Sequence, residues 1–317
     1  MSYQSPSSPL LLEPKTYLWP SKEKMPDYQP HQHAATTEEV AAPGYSDDDY
    51  RLPYLQWYQP PKKVTTDALM VIVSGGGYNN CCDIVPFDTC VKEFLAAGIP
   101  CVMFIYRTPR ANGIPLFKTA WQDGQRAIRV LRSEAARRGY HPEKIGVIGC
   151  SAGSHLSLLL ALSSQQQSYQ PVDELDQLSC HIAFAVPTCP AYLLSDGLNT
   201  QNVKRGHGDD VFIDPVFAFD AKSCPCCLIH GADDPYSPIG STKVFRRLRE
   251  MGIPAEIHLE ANGKHGFMNL KRMSTPKITL AFLERLGYLS PDDELKALAE
   301  WEENRQNGIQ NDLEIIF

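Results

Sequence analysis

The sequence predicts an α/β protein with a mainly parallel central sheet and helices on both of its faces. From about residue 55 onward, short apolar runs alternate with longer amphipathic stretches, the pattern of strands that alternate with helices. Continuous apolar runs such as Met70–Val73 suit strands that are buried on both faces. The composition, 43% hydrophobic and 21% charged over 317 residues, supplies a sizeable core. These observations favour one large domain over two small ones.

The predicted elements follow one another in a regular order. Seven strands are expected at Tyr54–Tyr58, Ala68–Ser74, Pro100–Tyr106, Ile145–Gly149, His181–Pro187, Pro225–His230 and Ala255–Leu259. Five helical patterns, each ending near glycine, proline or polar residues, are expected at Pro86–Ala97, Phe117–Gly139, Ser154–Ser163, Ser241–Gly252 and Lys277–Leu286.

Three segments depart from this pattern: one before the domain of residues 51–289, one inside it and one after it. Residues 1–50 carry prolines at a spacing that forbids long helices, so we expect an extended arm lying across a surface. Residues 188–222 break the rhythm of the elements and are expected to form an insertion that covers or borders a pocket. Residues 290–317 form an acidic C-terminal segment with an apolar end. The arm and this segment are the places where a homo-oligomer contact is expected.

Charge and hydropathy exclude several classes of partner. The formal net charge is −7 and the few basic runs lie on helical patterns, so we expect no nucleic-acid partner. No apolar run approaches the ~18 residues needed to span a bilayer, so we expect a soluble protein without a membrane partner. Residues 1–14 show no signal peptide. The compartment stays open, cytoplasmic or exported after removal of a signal.

The ten cysteines are expected to be buried thiols, because most of them lie in apolar, strand-like contexts. Neither Cys81–Cys82 nor the cluster at Cys224, Cys226 and Cys227 has the C-x-x-C spacing of structural zinc sites, so no metal is expected. A disulfide from Cys81 or Cys82 to Cys90 is the alternative. No cofactor is expected.

The strongest local signal is the pentapeptide Gly149–Gly153, a G-x-S-x-G between an apolar strand and an apolar helix. The spacing suits a sharp strand-to-helix turn that exposes Ser151 as a nucleophile, since glycine two residues before and two after leaves room for it. The helix N-terminus then directs backbone N–H groups, that of Ala152 first, at developing negative charge.

A second glycine signal, Ser74–Tyr78, ends the strand upstream of the serine. The backbone N–H of Gly76 or Gly77 is expected to complete an oxyanion hole with Ala152, and losing one such donor costs about 3 kcal/mol of transition-state stabilisation. A simple tight turn is the alternative. A phosphate-binding loop is disfavoured because no Lys-Ser/Thr pair follows the glycines.

A serine nucleophile needs a base and an acid that orients it, in the chain order serine, acid, histidine. Asp233 and Asp234 follow the predicted strand that ends at His230. His265 lies on a loop after the next strand, with glycine on both sides of it. We expect His265 to be the base. His155 and His230 are expected to pack in the interior.

With these pieces the chain resembles the α/β-hydrolase superfamily, in its esterase/lipase branch, and within it acetyl xylan esterase-like and feruloyl esterase-like carbohydrate esterases. The resemblance covers about residues 55–289. It rests on Ser74–Tyr78, Tyr106–Pro109, Asp123, Gly149–Gly153, His230–Pro235 and His265–Phe267. It implies Asp234 as the acid, with Asp233 as the alternative, and a scaffolding pair of Arg107 and Asp123. Related enzymes often carry His or Pro where this chain has Ser74.

The expected activity is a serine carboxylic-ester hydrolase, with Tyr78, Asn79 and Trp121 lining the substrate pocket. The resemblance implies a small-molecule or polysaccharide ester as substrate, with a short acyl group such as acetyl on a sugar such as xylan. A feruloyl-type aryl ester is the nearest rival. Two alternatives belong to other functional classes: a serine peptidase, and an α/β-hydrolase relative that serves as a binding module without catalysis.

Overall fold

The computed structural model describes residues 12–28, 52–58, 64–81, 88–108, 111–195, 212–266 and 275–290. Within these ranges lie eight strands of one sheet. They are β1 (Thr16–Tyr17), β2 (Tyr54–Trp57), β3 (Leu69–Val73), β4 (Cys101–Ile105), β5 (Ile145–Cys150), β6 (Phe184–Thr188), β7 (Cys226–Gly231) and β8 (Ala255–Glu260). The C-terminal segment after Ser290 and residues 196–211 of the expected insertion lie outside the described residues.

The sheet has the order β1-β2-β4-β3-β5-β6-β7-β8. β1 and β2 are antiparallel to their neighbours, and the six strands from β4 to β8 in this order pair in parallel. Every residue of β3, β4, β6 and β7 is buried, as the continuous apolar runs predict, whereas β8 at the edge is half-buried or exposed. The predicted α/β fold class is confirmed.

Five helices connect and cover the strands. They are α1 (Asp88–Ala96), α2 (Lys118–Arg138), α3 (Ala152–Leu162), α4 (Ile239–Glu250) and α5 (Thr275–Arg285). α2 packs on α3, which lies against β5 and β6, while α1 packs on α5. All eleven residues of α3 are buried, so the helix behind the predicted nucleophile is a core element. None of the described helices is long and apolar enough to cross a membrane.

Element boundaries differ from the prediction by at most three residues. The largest strand error is at β6, which begins at Phe184 and not at His181. The polar side chains explain this, because His181 Nδ1 lies 2.5 Å from Ser179 Oγ and its Nε2 lies 2.8 Å from Glu143. These contacts hold His181 in a loop.

The described part of the N-terminal arm adds β1 to the sheet edge and then forms a short 3₁₀ helix at Lys22–Lys24. β1 was not predicted, since two residues between prolines leave no periodic signal. Next to it, Leu18 and Trp19 are buried, and the Trp19 indole donates to Asp123 at 2.8 Å. Arg107 donates from Nε to the same carboxylate at 2.9 Å, as the resemblance implies. Both partners are buried, so breaking this pair costs about 3–5 kcal/mol.

The described cysteines form no disulfide. Cys81 and Cys90 are both free and buried, so the alternative of a disulfide to Cys90 is wrong. Burial raises the pKa of the Cys90 thiol to about 12, with a smaller contribution from the charge of Glu93. Such a thiol is inert at neutral pH.

Candidate active site

Ser151 occupies the strained turn that the glycine spacing predicts. It follows β5 directly and has φ 55° and ψ −118°, outside the regions that ordinary residues adopt. A Cβ at Gly149 would lie 2.3 Å from the Gly153 carbonyl oxygen, and one at Gly153 would lie 2.4 Å from the Val73 carbonyl oxygen. Only glycine therefore allows α3 to approach β5 and β3 closely enough to form this turn.

The structure brings Ser151, His265 and Asp234 into one hydrogen-bond chain. His265 Nε2 lies 2.8 Å from Ser151 Oγ, and His265 Nδ1 lies 2.9 Å from Asp234 Oδ2. A carboxylate only accepts, so Nδ1 carries the proton and Nε2 is left to accept from the serine hydroxyl. This tautomer is the one that a general base requires.

Asp234, and not Asp233, faces the imidazole. Asp234 is buried at the end of β7 and also accepts from the backbone N–H of Tyr236 at 2.7 Å. Asp233 is exposed and accepts from the backbone N–H of Lys264 at 2.7 Å. The two neighbouring carboxylates thus hold different groups: Asp233 holds the loop before His265, and Asp234 holds the imidazole itself.

The electrostatics of the three residues suit this arrangement. Burial alone raises the pKa of Asp234, but the close approach of His230, the hydrogen bond from His265 and the charge of His265 lower it overall. Burial lowers the pKa of His265, but the Asp234 hydrogen bond and the charges of Cys189 and Asp234 raise it overall. A histidine with a raised pKa is a stronger base toward the Ser151 proton.

The two interior histidines are placed as expected. Burial lowers the pKa of His155 to about 3, and its Nδ1 lies 2.8 Å from the Tyr78 hydroxyl. His230 Nδ1 lies 2.7 Å from Ser241 Oγ, and its Nε2 lies 3.4 Å from Asp234. His230 therefore supports the acid from behind.

The glycine loop after β3 lies directly against Ser151. A Cβ at Gly75 would lie 3.0 Å from Ser151 Cβ, so this backbone and the serine are in contact. Among the described residues no hydrogen bond uses the N–H of Gly76 or Gly77, and the N–H of Ala152 is the first of α3, without an acceptor inside the helix. Three backbone donors therefore remain available beside the serine.

The Tyr106 hydroxyl supports this loop from beneath Ser74 and Gly75. It lies 3.3 Å from the carbonyl oxygen of Ser74 and 3.2 Å from that of Gly75. The loop then turns at Gly76 and Gly77, which have φ 119° and 60°, and its Gly76 carbonyl accepts from the N–H groups of Asn79 and Asn80.

The three residues expected to line the pocket are placed differently from one another. Tyr78 is 1% exposed and packs among Tyr106, His155 and Tyr192, and Trp121 is 5% exposed. Such burial leaves these two side chains little surface for a substrate. Asn79 is exposed in the glycine loop, where contact with substrate stays a prediction.

Three residues at the site were missed by sequence reasoning. Tyr236 stacks near His265, with ring centroids 4.7 Å apart, and Tyr192 contacts Tyr236 at 5.5 Å. A Cβ at Gly77 would lie 3.4 Å from the Tyr192 hydroxyl, so this ring reaches the glycine loop. Cys189 is the third. The only sequence signal for Cys189 and Tyr192 was their place at the start of the expected insertion.

Two groups of described side chains lie close enough to share a metal ion, Cys189/Asp234/His265 and Cys227/Glu256/His258. In the first group, Asp234 and His265 are engaged with each other and with Ser151. In the second, Arg285 donates to Glu256 at 2.6 Å and burial raises the pKa of the Cys227 thiol. A cation is thus already paired with the carboxylate of the second group.

Comparisons with known proteins find one matching family model and relatives that are named as esterases. Residues 55–188 match the family model described as BD-FAE, which covers β2 to β6 and includes Ser151 but not Asp234 or His265. Acetylxylan esterase of Xylanibacter ruminicola is 24% identical over 189 residues, 54% of this chain and 35% of that protein. Esterase LipQ of Mycobacterium tuberculosis is 26% identical over 183 residues, 53% of this chain and 43% of that protein. The chain thus spans less than half the length of these relatives.

Among solved structures, the acetyl ester-xyloside bifunctional hydrolase from Caldicellulosiruptor lactoaceticus is similar with a TM-score of 0.64 and 21% sequence identity. The match covers 91% of this chain and 100% of that one. The two proteins therefore share a fold.

Proposed function

The chain has the α/β-hydrolase fold and resembles esterases of that fold, and from this premise we propose that it is a serine carboxylic-ester hydrolase. The observation that carries the proposal is the hydrogen-bond chain from Ser151 through His265 to Asp234, at 2.8 and 2.9 Å, on a turn with positive φ. The available N–H groups of Gly76, Gly77 and Ala152 support it. A binding module does not require a hydrogen-bonded serine, histidine and aspartate beside available backbone N–H groups.

The mechanism begins with attack by Ser151 Oγ on the ester carbonyl while His265 Nε2 takes the hydroxyl proton. The negative charge that forms on the carbonyl oxygen is held by the backbone N–H groups of Gly76 or Gly77 and Ala152. His265 then gives its proton to the leaving alcohol. Water, activated by the same imidazole, hydrolyses the acyl-enzyme.

The substrate we propose is a short acyl ester, such as acetyl, on a sugar or polysaccharide. Tyr192 reaches the glycine loop and contacts Tyr236, which packs against His265. We infer that these two rings limit the length of the acyl group. The relatives named acetylxylan esterase and acetyl ester-xyloside hydrolase support the same substrate class. Aromatic rings beside the site also suit a sugar face.

Hydrolysis of p-nitrophenyl esters from acetate to octanoate, with acetate release from acetylated xylan, tests the proposal. Ser151→Ala is expected to lower kcat by about 10⁶-fold, as loss of a triad serine does. Ser133→Ala, at an exposed position of α2, is the control and should keep full activity.

The outcomes separate the rivals. Activity confined to short acyl chains, with release of acetate, supports the proposal. Turnover of methyl ferulate in preference to acetyl esters points to an aryl esterase, and cleavage of peptides alone points to a peptidase. No Ser151-dependent turnover of any ester or peptide contradicts the proposed enzyme and leaves a binding module.

A further inference from the structure

Two cysteines meet beside the nucleophile and take no part in the proposed mechanism. Cys150 ends β5 and immediately precedes Ser151, and Cys189 immediately follows β6. Cys150 pairs with Thr188 in the parallel register, which places Cys189 one residue beyond it. The two Sγ atoms lie 3.2 Å apart. A disulfide bond is ~2.05 Å long, so the sulfurs need to approach by only about 1 Å.

Cys189 also lies against the base and its acid. Its Sγ, the His265 ring nitrogen and an Asp234 carboxylate oxygen all lie within 4.8 Å of one another. Cys189 is fully buried and has φ 39°, whereas Cys150 is half-buried. The Cys150 sulfur thus lies at the half-buried turn, and the Cys189 sulfur lies in the interior beside His265.

The environment of this pair differs from that of other buried thiols. Burial raises the pKa of Cys189, but a hydrogen bond from the Cys150 thiol and the charge of His265 lower it overall. Burial raises the pKa of Cys90, Cys101 and Cys227. Among the described cysteines with a resolved shift, Cys189 is therefore the one favoured as thiolate, the form that reacts with oxidants.

We propose that Cys150 and Cys189 are an oxidation site, at which a peroxide converts the two thiols into a disulfide that inactivates Ser151. The first thiol ionises, its thiolate attacks a peroxide oxygen, the O–O bond breaks, and the departing hydroxide takes the thiol proton, so a sulfenic acid and one water form. The second thiol ionises, its thiolate attacks the sulfenic sulfur, and the departing hydroxide takes that thiol's proton and leaves as the second water. Two electrons pass from the sulfurs to the peroxide, and a dithiol reductant reverses the change.

The inactivation follows from covalent geometry. Cys150 is bonded to Ser151, whose backbone is already strained, so drawing the Cys150 sulfur toward Cys189 moves Ser151 Oγ relative to His265. Displacement of a reacting group by about 1 Å costs about 10²-fold in rate. This second half of the proposal rests on the proposed hydrolase function, whereas disulfide formation does not.

The test treats the full-length protein with hydrogen peroxide, blocks remaining thiols with iodoacetamide, and measures peptides by mass spectrometry and p-nitrophenyl acetate hydrolysis in parallel. The expected result is a linked peptide pair containing Cys150 and Cys189, lighter by two hydrogen atoms than the separate peptides together. Hydrolysis is expected to fall about 10²-fold in step with the link and to return with dithiothreitol.

Two variants keep the test sharp. Cys189→Ser removes the link, and its hydrolysis rate, measured relative to its own untreated sample, no longer falls with peroxide. Cys90→Ser removes another buried thiol, remote from the turn, and should remain sensitive.

Absence of the link under peroxide that oxidises the methionines overturns the proposed site, and a link with unchanged hydrolysis overturns the inactivation. The mass measurement needs no turnover, so failure of the proposed esterase function is distinguishable from failure of the disulfide.

Discussion

The site has two halves that are built from different material. One is a backbone half, made of the Ser74–Gly77 loop and the Gly149–Gly153 turn, in which close main-chain contacts and N–H groups do the work. The other is a side-chain half at the ends of β6, β7 and β8, made of Cys189, Tyr192, Asp234, Tyr236 and His265. The first tolerates almost no added atom, because a Cβ at Gly149, Gly153 or Gly76 would lie within 2.4 Å of another atom. The side-chain half depends on particular functional groups, which a substitution of similar size removes.

Apart from loss of the nucleophile itself, the largest effect is expected in the side-chain half, from Asp234→Asn. The amide leaves the geometry nearly intact but favours the wrong imidazole tautomer, so kcat should fall by about 10⁴-fold. Asp233→Asn is the matched control, since its carboxylate accepts only from the Lys264 N–H among the described contacts. Steady-state ester hydrolysis measures both. A loss in Asp233→Asn with activity retained in Asp234→Asn would show that the acid has been assigned to the wrong carboxylate.

A smaller loss is expected in the backbone half, from Gly76→Ala. The added Cβ would lie 2.1 Å from the Asn80 carbonyl oxygen, at φ 119°, so the loop has to move its N–H donors away from Ser151. Loss of an oxyanion donor lowers kcat by about 10²–10³-fold.

Gly113→Ala is the control for this loop, because Gly113 has φ 78° but a Cβ at this position would have no other atom within 4 Å. It carries the backbone strain without the collision and should keep its kcat. If both variants lose activity to the same degree, strain and not the oxyanion loop explains the result.

The two halves were not equally predictable. The backbone half can be predicted because main-chain approach requires glycine, so Gly149, Gly153 and the run after β3 stand out in the sequence. Asp234 and His265 were found because strand ends precede them and the serine requires partners in that order. The eight-stranded sheet was predicted except for β1, whose two residues lie between prolines.

What the sequence did not reveal is set by packing at long range. Cys189 and Tyr192 lie after a strand with no turn motif, and only the sheet order β5-β6-β7 brings them beside residues 151 and 265. Tyr78 and Trp121 were expected, with Asn79, to line the substrate pocket. Their rings are large and apolar, and the structure buries them among other aromatic side chains.

Tyr192→Ala is expected to change the selectivity for acyl-chain length more than the rate of acetate ester hydrolysis. Removing the ring opens space beside Gly77 and Tyr236, and each additional buried CH₂ contributes about 0.8 kcal/mol. The ratio of kcat/KM for butanoate to that for acetate should therefore rise about tenfold. Tyr17→Ala, which removes a tyrosine 51% exposed on β1, should leave the ratio unchanged. An unaltered ratio in Tyr192→Ala would mean that the acyl group lies elsewhere.

The smallest effect concerns the pH profile. His265 acts as a base only when neutral, and its pKa is raised above the ordinary value of 6.5, so kcat/KM should fall as the pH drops through a value above 6.5. The charge of Cys189 contributes to that rise, so Cys189→Ser should move the acid limb to lower pH, with Cys90→Ser unshifted as the control. Profiles of p-nitrophenyl acetate hydrolysis measured under reducing conditions check this. An acid limb that stays in place in Cys189→Ser would show that the thiol carries no charge beside His265, and that the side-chain half is set by Asp234 alone.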